Sequence, residues 1–302
     1  MTWIAITIVA HFFNAIVSIT DKHLVSNTVL KPVAYTFYSG VFQVLFLFLI
    51  PFIGFTLPNG KLFLIGVGTG ALFILTLLIF YRALKISEAS RVVPVIGATV
   101  PIFTVVLSYI ILGEFLTVVQ LFAFAFFVVG GFLLSLKNSH GIFSLFPGFK
   151  LAVSAGFLFA LYYTLIKLLY LDVEFFDGFI LLQLGGFLGS IFLLISKSNR
   201  EKIFSTPETI KKRTAYLFIP NKILAAVAAI MIFYAISIEG SKVSIINSLQ
   251  AFQYVFVLFF AIILSRKIPS LFHEQLNKRL LRRKIVAIVV IGVGLFLLAI
   301  GS

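Results

Sequence analysis

Residues 80–112 read FYRALKISEASRVVPVIGATVPIFTVVLSYIIL, and residues 233–264 read FYAISIEGSKVSIINSLQAFQYVFVLFFAIIL. Phe80-Tyr81, Ser90-Arg91-Val92 and Ile110-Ile111-Leu112 in the first stretch are answered by Phe233-Tyr234, Ser241-Lys242-Val243 and Ile262-Ile263-Leu264 in the second. The offsets are 153, 151 and 152, so small gaps align the two copies. Each copy lies among long apolar runs. A duplicated set of such runs is the sequence mark of a membrane carrier whose halves enclose a shared pathway.

Composition points the same way. Of 302 residues 61% are apolar and 37 are phenylalanine, and the mean hydropathy is +1.15. A soluble domain of this length has too little polar material to cover its own surface. Charged residues make up 11% of the chain and cluster between the apolar runs, as in a polytopic membrane protein. The net charge of +14 comes from Lys and Arg in loops flanking those runs. Anionic lipid head groups are therefore the expected partner of the basic loops, and nucleic acid is not. The absence of cysteine excludes disulfides and thiolate metal sites. The first run begins at Trp3 with no basic segment before it and no small-residue cleavage site after it, which predicts a retained span.

A span needs roughly 20 largely apolar residues. Ten runs qualify, near 2–20, 32–53, 61–81, 91–112, 117–136, 149–169, 177–196, 222–238, 243–265 and 284–300. Lipid admits only helices or closed barrels. The expected fold class is thus all-α: ten transmembrane helices as two inverted five-helix repeats, residues 1–137 and 149–302, with a linker at 138–148. Five spans per half is an odd number, so the halves have opposite orientation. The linker carries Asn138, Ser139, Gly141 and Pro147-Gly148, all turn-forming residues. Lys22 with Lys167 and Ala15 with Ala160 extend the repeat at an offset of 145. Gly66 with Gly70, and Gly185 with Gly189, give small-residue faces for close helix packing. Pro94 and Pro101 lie within the fourth span, where they free backbone carbonyls and favour a bend.

Residues 86–131 run through Ser87-Glu88-Ala89-Ser90-Arg91, the mid-span Pro94 and Pro101, and Leu112-Gly113-Glu114-Phe115-Leu116-Thr117 with Gln120, to Gly130-Gly131. This resembles the EamA family of the drug/metabolite transporter superfamily. Glu274 and Lys284-Ile285 look like remains of the same turn in the second half, after a basic insertion. The resemblance implies ten helices, a central cavity, and export or exchange of small solutes. It does not name a substrate.

Ten acidic residues are present and none falls at the middle of a span. Coupling through a midplane carboxylate is therefore disfavoured. The best titratable candidate is His11 in the first span, with Asn14 about a turn away. An intramembrane histidine is costly unless it faces a cavity or finds partners. In the ninth span Asn247, Gln250, Gln253 and Tyr254 form a polar stripe that would share one face of a regular helix. Thr104 and Ser108 in the fourth span, Tyr38 in the second and Tyr163 in the sixth complete the expected substrate-binding set. Lys167, late in the sixth span, is expected to snorkel to the head groups. His11, His23, His140 and His273 are scattered, and no phosphate loop, nucleophile elbow or paired carboxylate accompanies them. No enzyme activity, cofactor or metal is expected.

Loops after spans one, three, five, seven and nine hold 21 of the 24 Lys and Arg residues. The positive-inside rule puts those loops in the cytoplasm and both termini outside, whereas the resemblance implies cytoplasmic termini. Ile268, Leu271, Phe272, Gln275 and Leu276 before Lys278-Arg279 suit a short amphipathic surface helix or a solvated linker. The expected function is secondary transport of a small metabolite or drug by alternating access, as a monomer, across the cell membrane. A flippase for a lipid-linked sugar or head group, and a non-transporting scaffold subunit, are the alternatives.

Overall fold

The computed structural model describes residues 2–27, 31–87, 89–135, 147–204, 212–267 and 278–300. The linker residues 138–146 and the proposed surface helix at 268–277 lie outside them. The described elements are all helical. In chain order they begin α1 (Thr2–Asn27), α2 (Pro32–Val41), a 3-10 stretch Phe42–Leu49, α3 (Ile50–Ile53), α4 (Gly60–Ile86), α5 (Ala89–Leu112) and α6 (Val118–Ser135). There follow α7 (Phe149–Leu169), α8 (Phe175–Phe192), a 3-10 turn Leu193–Ile195, α9 (Lys197–Phe204) and α10 (Lys212–Ser237). The chain closes with α11 (Val243–Ser248), α12 (Ala251–Lys267) and α13 (Lys278–Ile300). Among the described residues, eight helical stretches are long and apolar enough to cross a membrane. The fifth and tenth expected spans contain shorter apolar helices, Val118–Leu133 and Lys284–Ile300.

The glycine turn singled out in the sequence has a clear local cause. Gly113 takes φ +64 after the last residue of α5, a left-handed conformation that residues with a Cβ avoid. Four residues on, the Thr117 Oγ1 accepts from the Gln120 N–H at 3.2 Å, while Gln120 Oε1 accepts from the Thr117 N–H at 3.1 Å. This reciprocal capping box starts α6. The turn thus stops one helix and starts the next within five residues.

Two expected spans are not regular helices. The second passes from α2 into eight residues of 3-10 helix before α3, a longer run than that geometry usually sustains. The ninth is interrupted between α11 and α12 at Leu249 and Gln250. By contrast α5 runs unbroken through Pro94 and Pro101.

The chain divides into two compact units, each drawing on both halves of the sequence. One comprises Met1–Thr28, Glu114–Ser144 and Thr209–Ser302; the other comprises Val29–Gly113 and Leu145–Glu208. In the first unit α1 packs on α10 and α12, while α6 packs on α13 and α12. Ala10 and Ala15 of α1 are fully buried, and Phe12 meets Phe256 and Phe260 at ring distances of 5.3 and 5.5 Å. Gly294 of α13 sits against the Ala123 carbonyl and Phe127 of α6.

In the second unit α4 packs on α7 and α8, and α5 packs on α7. Here the small-residue faces do the work expected of them. A Cβ on Gly70 would strike the Leu182 carbonyl, and one on Gly185 would strike the Val67 carbonyl. The α4 and α8 backbones are therefore in direct contact, which only glycine permits at those points. Asp177, buried in the first turn of α8, accepts from the Thr56 N–H at 3.1 Å and from its hydroxyl, fastening the turn that follows α3. Lys167 is 6% exposed in the last turn of α7, so it is held inside this unit rather than extended to the head groups. Both units turn large apolar side chains outward, Phe52 and Leu64 in one, Val118 and Phe296 in the other. Lipid is the solvent that suits such a surface.

Candidate functional site

Six of the sequence-selected residues fall in the first unit: His11, Asn14, Asn247, Gln250, Gln253 and Tyr254. Their geometry is set by the interruption of the ninth span. In an α-helix each N–H bonds the carbonyl four residues back. Here the N–H groups of Gln250, Phe252 and Gln253 reach back three, to Asn247 at 3.3 Å, Leu249 at 2.9 Å and Gln250 at 2.9 Å. Tightening at Gln250 relieves the Ile246 carbonyl of the partner a regular helix would give it. The polar stripe consequently does not lie on one regular helical face. Asn247 belongs to α11, Gln250 to the junction, and Gln253 and Tyr254 to α12. Non-helical backbone at membrane depth is tolerated only inside protein or beside water, and Asn247, Ser248 and Leu249 are buried.

The first span supplies the opposing wall. His11 is 6% exposed, and its imidazole faces the Ile246 carbonyl and the Gln253 side chain. Neither ring nitrogen makes a hydrogen bond among the described residues. Two turns further along α1, Gln253 donates from Nε2 to Ser18 Oγ at 2.8 Å, tying α12 to α1. Asn14 is half-buried between the levels of His11 and Ser18. The Tyr254 hydroxyl is buried without a hydrogen bond among the described residues, and its ring lies against Gly131 of α6. Ser18 was not among the residues singled out in the sequence. Its spacing of seven from His11 puts both on one face of α1, which is the signal that would have found it. The Ile246 carbonyl had no signal, because it matters only once the helix breaks.

The remaining four residues belong to the second unit. Thr104 is buried with its hydroxyl on the Val100 carbonyl at 2.8 Å, and Ser108 is bonded to the Val105 carbonyl at 3.2 Å. Both return their hydroxyls to their own helix. Tyr163 packs against the apolar cluster of Ala83, Val92, Ile96 and Ala155. Tyr38 is exposed. Two further polar groups of this unit were not selected above for binding: Gln43 of the 3-10 stretch presses its amide onto Gly186 of α8, and Gln183 of α8 is buried. No group of metal-binding side chains occurs among the described residues.

The site of the first unit is thus a set of neutral hydrogen-bonding groups around a helix break, in surroundings otherwise apolar. Its geometry offers no nucleophile paired with a base.

Comparison with known proteins adds three findings. Residues 1–136 match the family model described as "EamA-like transporter family". A solved crystal structure is 15% identical in sequence, with a TM-score of 0.66 over 97% of this chain and 96% of its own; at that identity the likeness concerns the fold alone. No curated protein matches the chain in sequence.

Proposed function

We propose that this chain, whose residues 1–136 match the family model of the EamA-like transporter family, is a secondary transporter of small metabolites or drugs. On this reading it is an exporter or exchanger of the cell membrane that works by alternating access. The observation that carries the proposal is the interrupted ninth span, whose freed carbonyl and amide side chain face a buried histidine. Discontinuous helices with exposed backbone polarity are how carriers build a midplane site.

Reciprocal packing supports ten spans in two inverted repeats. The first span, α1, packs on the eighth and ninth, α10 and α12. The sixth span, α7, packs on the third and fourth, α4 and α5. Exchanging the two halves turns one set of pairings into the other. The pairs α6 with α13 and α2 with α8 map onto themselves under the same exchange. The short apolar stretches of α6 and α13 still complete the count. Each helix is longer than its apolar core, 18 and 23 residues, and roughly 17 residues is enough to cross.

On this reading His11, Asn14, Asn247, Gln250, Gln253 and Tyr254 of the first unit contribute most of the recognition, and Tyr38, Thr104, Ser108 and Tyr163 are the substrate-contacting candidates of the second unit taken by itself. The substrate is a small polar molecule that hydrogen-bonds amides and carries no obligate countercharge. The test is counterflow in vesicles containing the purified full chain, screened with a panel of labelled amino acids, nucleosides, sugars and amphipathic drugs. At least one compound exchanges at a rate above empty vesicles, and Gln250→Ala lowers that rate at least fivefold. Absence of counterflow for every class, from protein that remains monodisperse, would contradict the proposal.

A further inference from the structure

At one end of the second unit the fold gathers cations that lie far apart in sequence. The Gly148 N–H donates to Ser87 Oγ at 3.1 Å, so α7 starts beside the end of α4. Tyr35 of α2 meets Tyr81 of α4 at a ring distance of 4.8 Å. Ile203 of α9 is buried in a cluster with Val33, Ala34 and Phe37 of α2 and Leu78 of α4. Leu193 and Leu194, at the close of the seventh span, pack on the same cluster. The first turns of α2 and α7, the last turns of α4, and α9 therefore share one end of the unit. Arg82 and Lys85 of α4, Lys150 of α7, and Lys197, Arg200 and Lys202 of α9 are all exposed there. Among the described residues, Glu201 is the only exposed acid beside them. The opposite end, where Asp177 fastens Thr56, exposes Asp172 and Glu174 against Lys61.

The short helix α9 owes its place to that packing. Ser196 is extended, with φ −75 and ψ 122, so the chain turns out of the seventh span and α9 starts at the next residue. Eight residues are too few to hold a helix alone in water, and burial of Ile203 pegs this one to α2. Phe204, the next residue, is exposed with its ring 6.2 Å from that of Phe37. Phe192 and Ile195 at the end of the span are exposed as well. Cations set beside outward aromatic and aliphatic side chains suit the boundary between acyl chains and head groups. A soluble acidic partner matches the cations and strands Phe204; an anionic leaflet matches both.

We propose that α9 and the basic end of the second unit form a binding surface for anionic phospholipid head groups. Lys197, Arg200 and Lys202 pair with the phosphates, and the acyl chains lie along Phe192, Ile195 and Phe204. Ile203 is a positioning residue: it touches no head group and holds α9 where its cations face the leaflet. This surface stands apart from the transporter reading, because every group in it belongs to one unit and none is a candidate substrate contact.

The experiment uses the absence of cysteine. A fluorophore on Ser198→Cys, an exposed position of α9, reports the lipid around this helix alone. The full chain is reconstituted into phosphatidylcholine vesicles containing phosphatidylglycerol. Quenching is compared when one lipid or the other is brominated close to the head group, at equal mole fraction. The anionic lipid quenches about fivefold more strongly, the attraction of a single cation near an anionic surface. Replacing Lys197, Arg200 and Lys202 together by Gln brings the two lipids to within about twofold of each other. Ile203→Ala removes no charge and yet lowers the preference, and Ile203→Val restores it. Inorganic phosphate at matched ionic strength leaves the preference as it is. Equal quenching by the two lipids in the wild type, or a preference that survives the triple substitution, overturns the proposal. Loss of the preference to inorganic phosphate assigns the surface to soluble anions and overturns it too. An Ile203→Ala chain with the full preference removes the peg. None of these readouts depends on transport, so failure of the counterflow screen leaves the lipid surface standing.

Discussion

Gly185→Leu leaves little or no folded protein. The position touches the backbone of α4 at Val67, so an added side chain meets a carbonyl group and not a flexible side-chain end. Overfilling a packed interior costs about 1–3 kcal/mol when side chains can shift. Here the obstruction is main chain, and α4 and α8 must separate along their length. Gly70→Leu meets the Leu182 carbonyl from the other side and has the same outcome. Gly68, two residues away on α4, meets nothing within 4 Å, so Gly68→Leu is tolerated. Size-exclusion profiles and thermal unfolding of detergent-purified protein measure the contrast. Equal recovery and equal midpoints for Gly185→Leu and Gly68→Leu contradict the account of how this unit is held together.

Gln253→Leu lowers transport at least tenfold while the fold survives. The side chain is partly buried and makes the Ser18 hydrogen bond that joins α12 to α1. Leucine has a similar volume, so packing is kept within about 1 kcal/mol or a little more. What is lost is the amide, and with it the tie to Ser18. Transport of whichever compound the vesicle screen selects falls at least tenfold, with unfolding changed by only a few degrees. Tenfold corresponds to about 1.4 kcal/mol, the size of one hydrogen bond to a desolvated ligand. A rate within twofold of wild type removes Gln253 from the site.

Much of this architecture is legible in the sequence. Run lengths and the absence of mid-span acids locate the helices, and the Gly113 turn with its Thr117 and Gln120 partners reads directly as a helix stop and start. The glycine faces of α4 and α8 are visible as spacings of four. What sequence cannot display is the break at Leu249-Gln250. Both are good helix formers, neither is glycine or proline, and the interruption comes from tertiary surroundings. The 3-10 stretch Phe42–Leu49 is hidden for the same reason. The exchange of helices between the halves is hidden too, because periodicity reports which face of a helix is covered and not which helix covers it. Lys167 misleads in the opposite sense: its place near a span end suggests a snorkelling side chain, and the fold buries it.

The central claim is that the interrupted ninth span borders an aqueous pathway. The chain contains no cysteine, so a single Gln250→Cys substitution makes a unique reporter without prior engineering. In intact and inverted vesicles it is challenged with a charged, membrane-impermeant maleimide, beside Val289→Cys on the outward apolar face of α13. The account predicts that the cysteine at position 250 is modified, and that the compound found by counterflow slows its modification, while the cysteine at 289 does not react. A cysteine at 250 that stays unmodified from both sides of the membrane, with and without substrate, contradicts it.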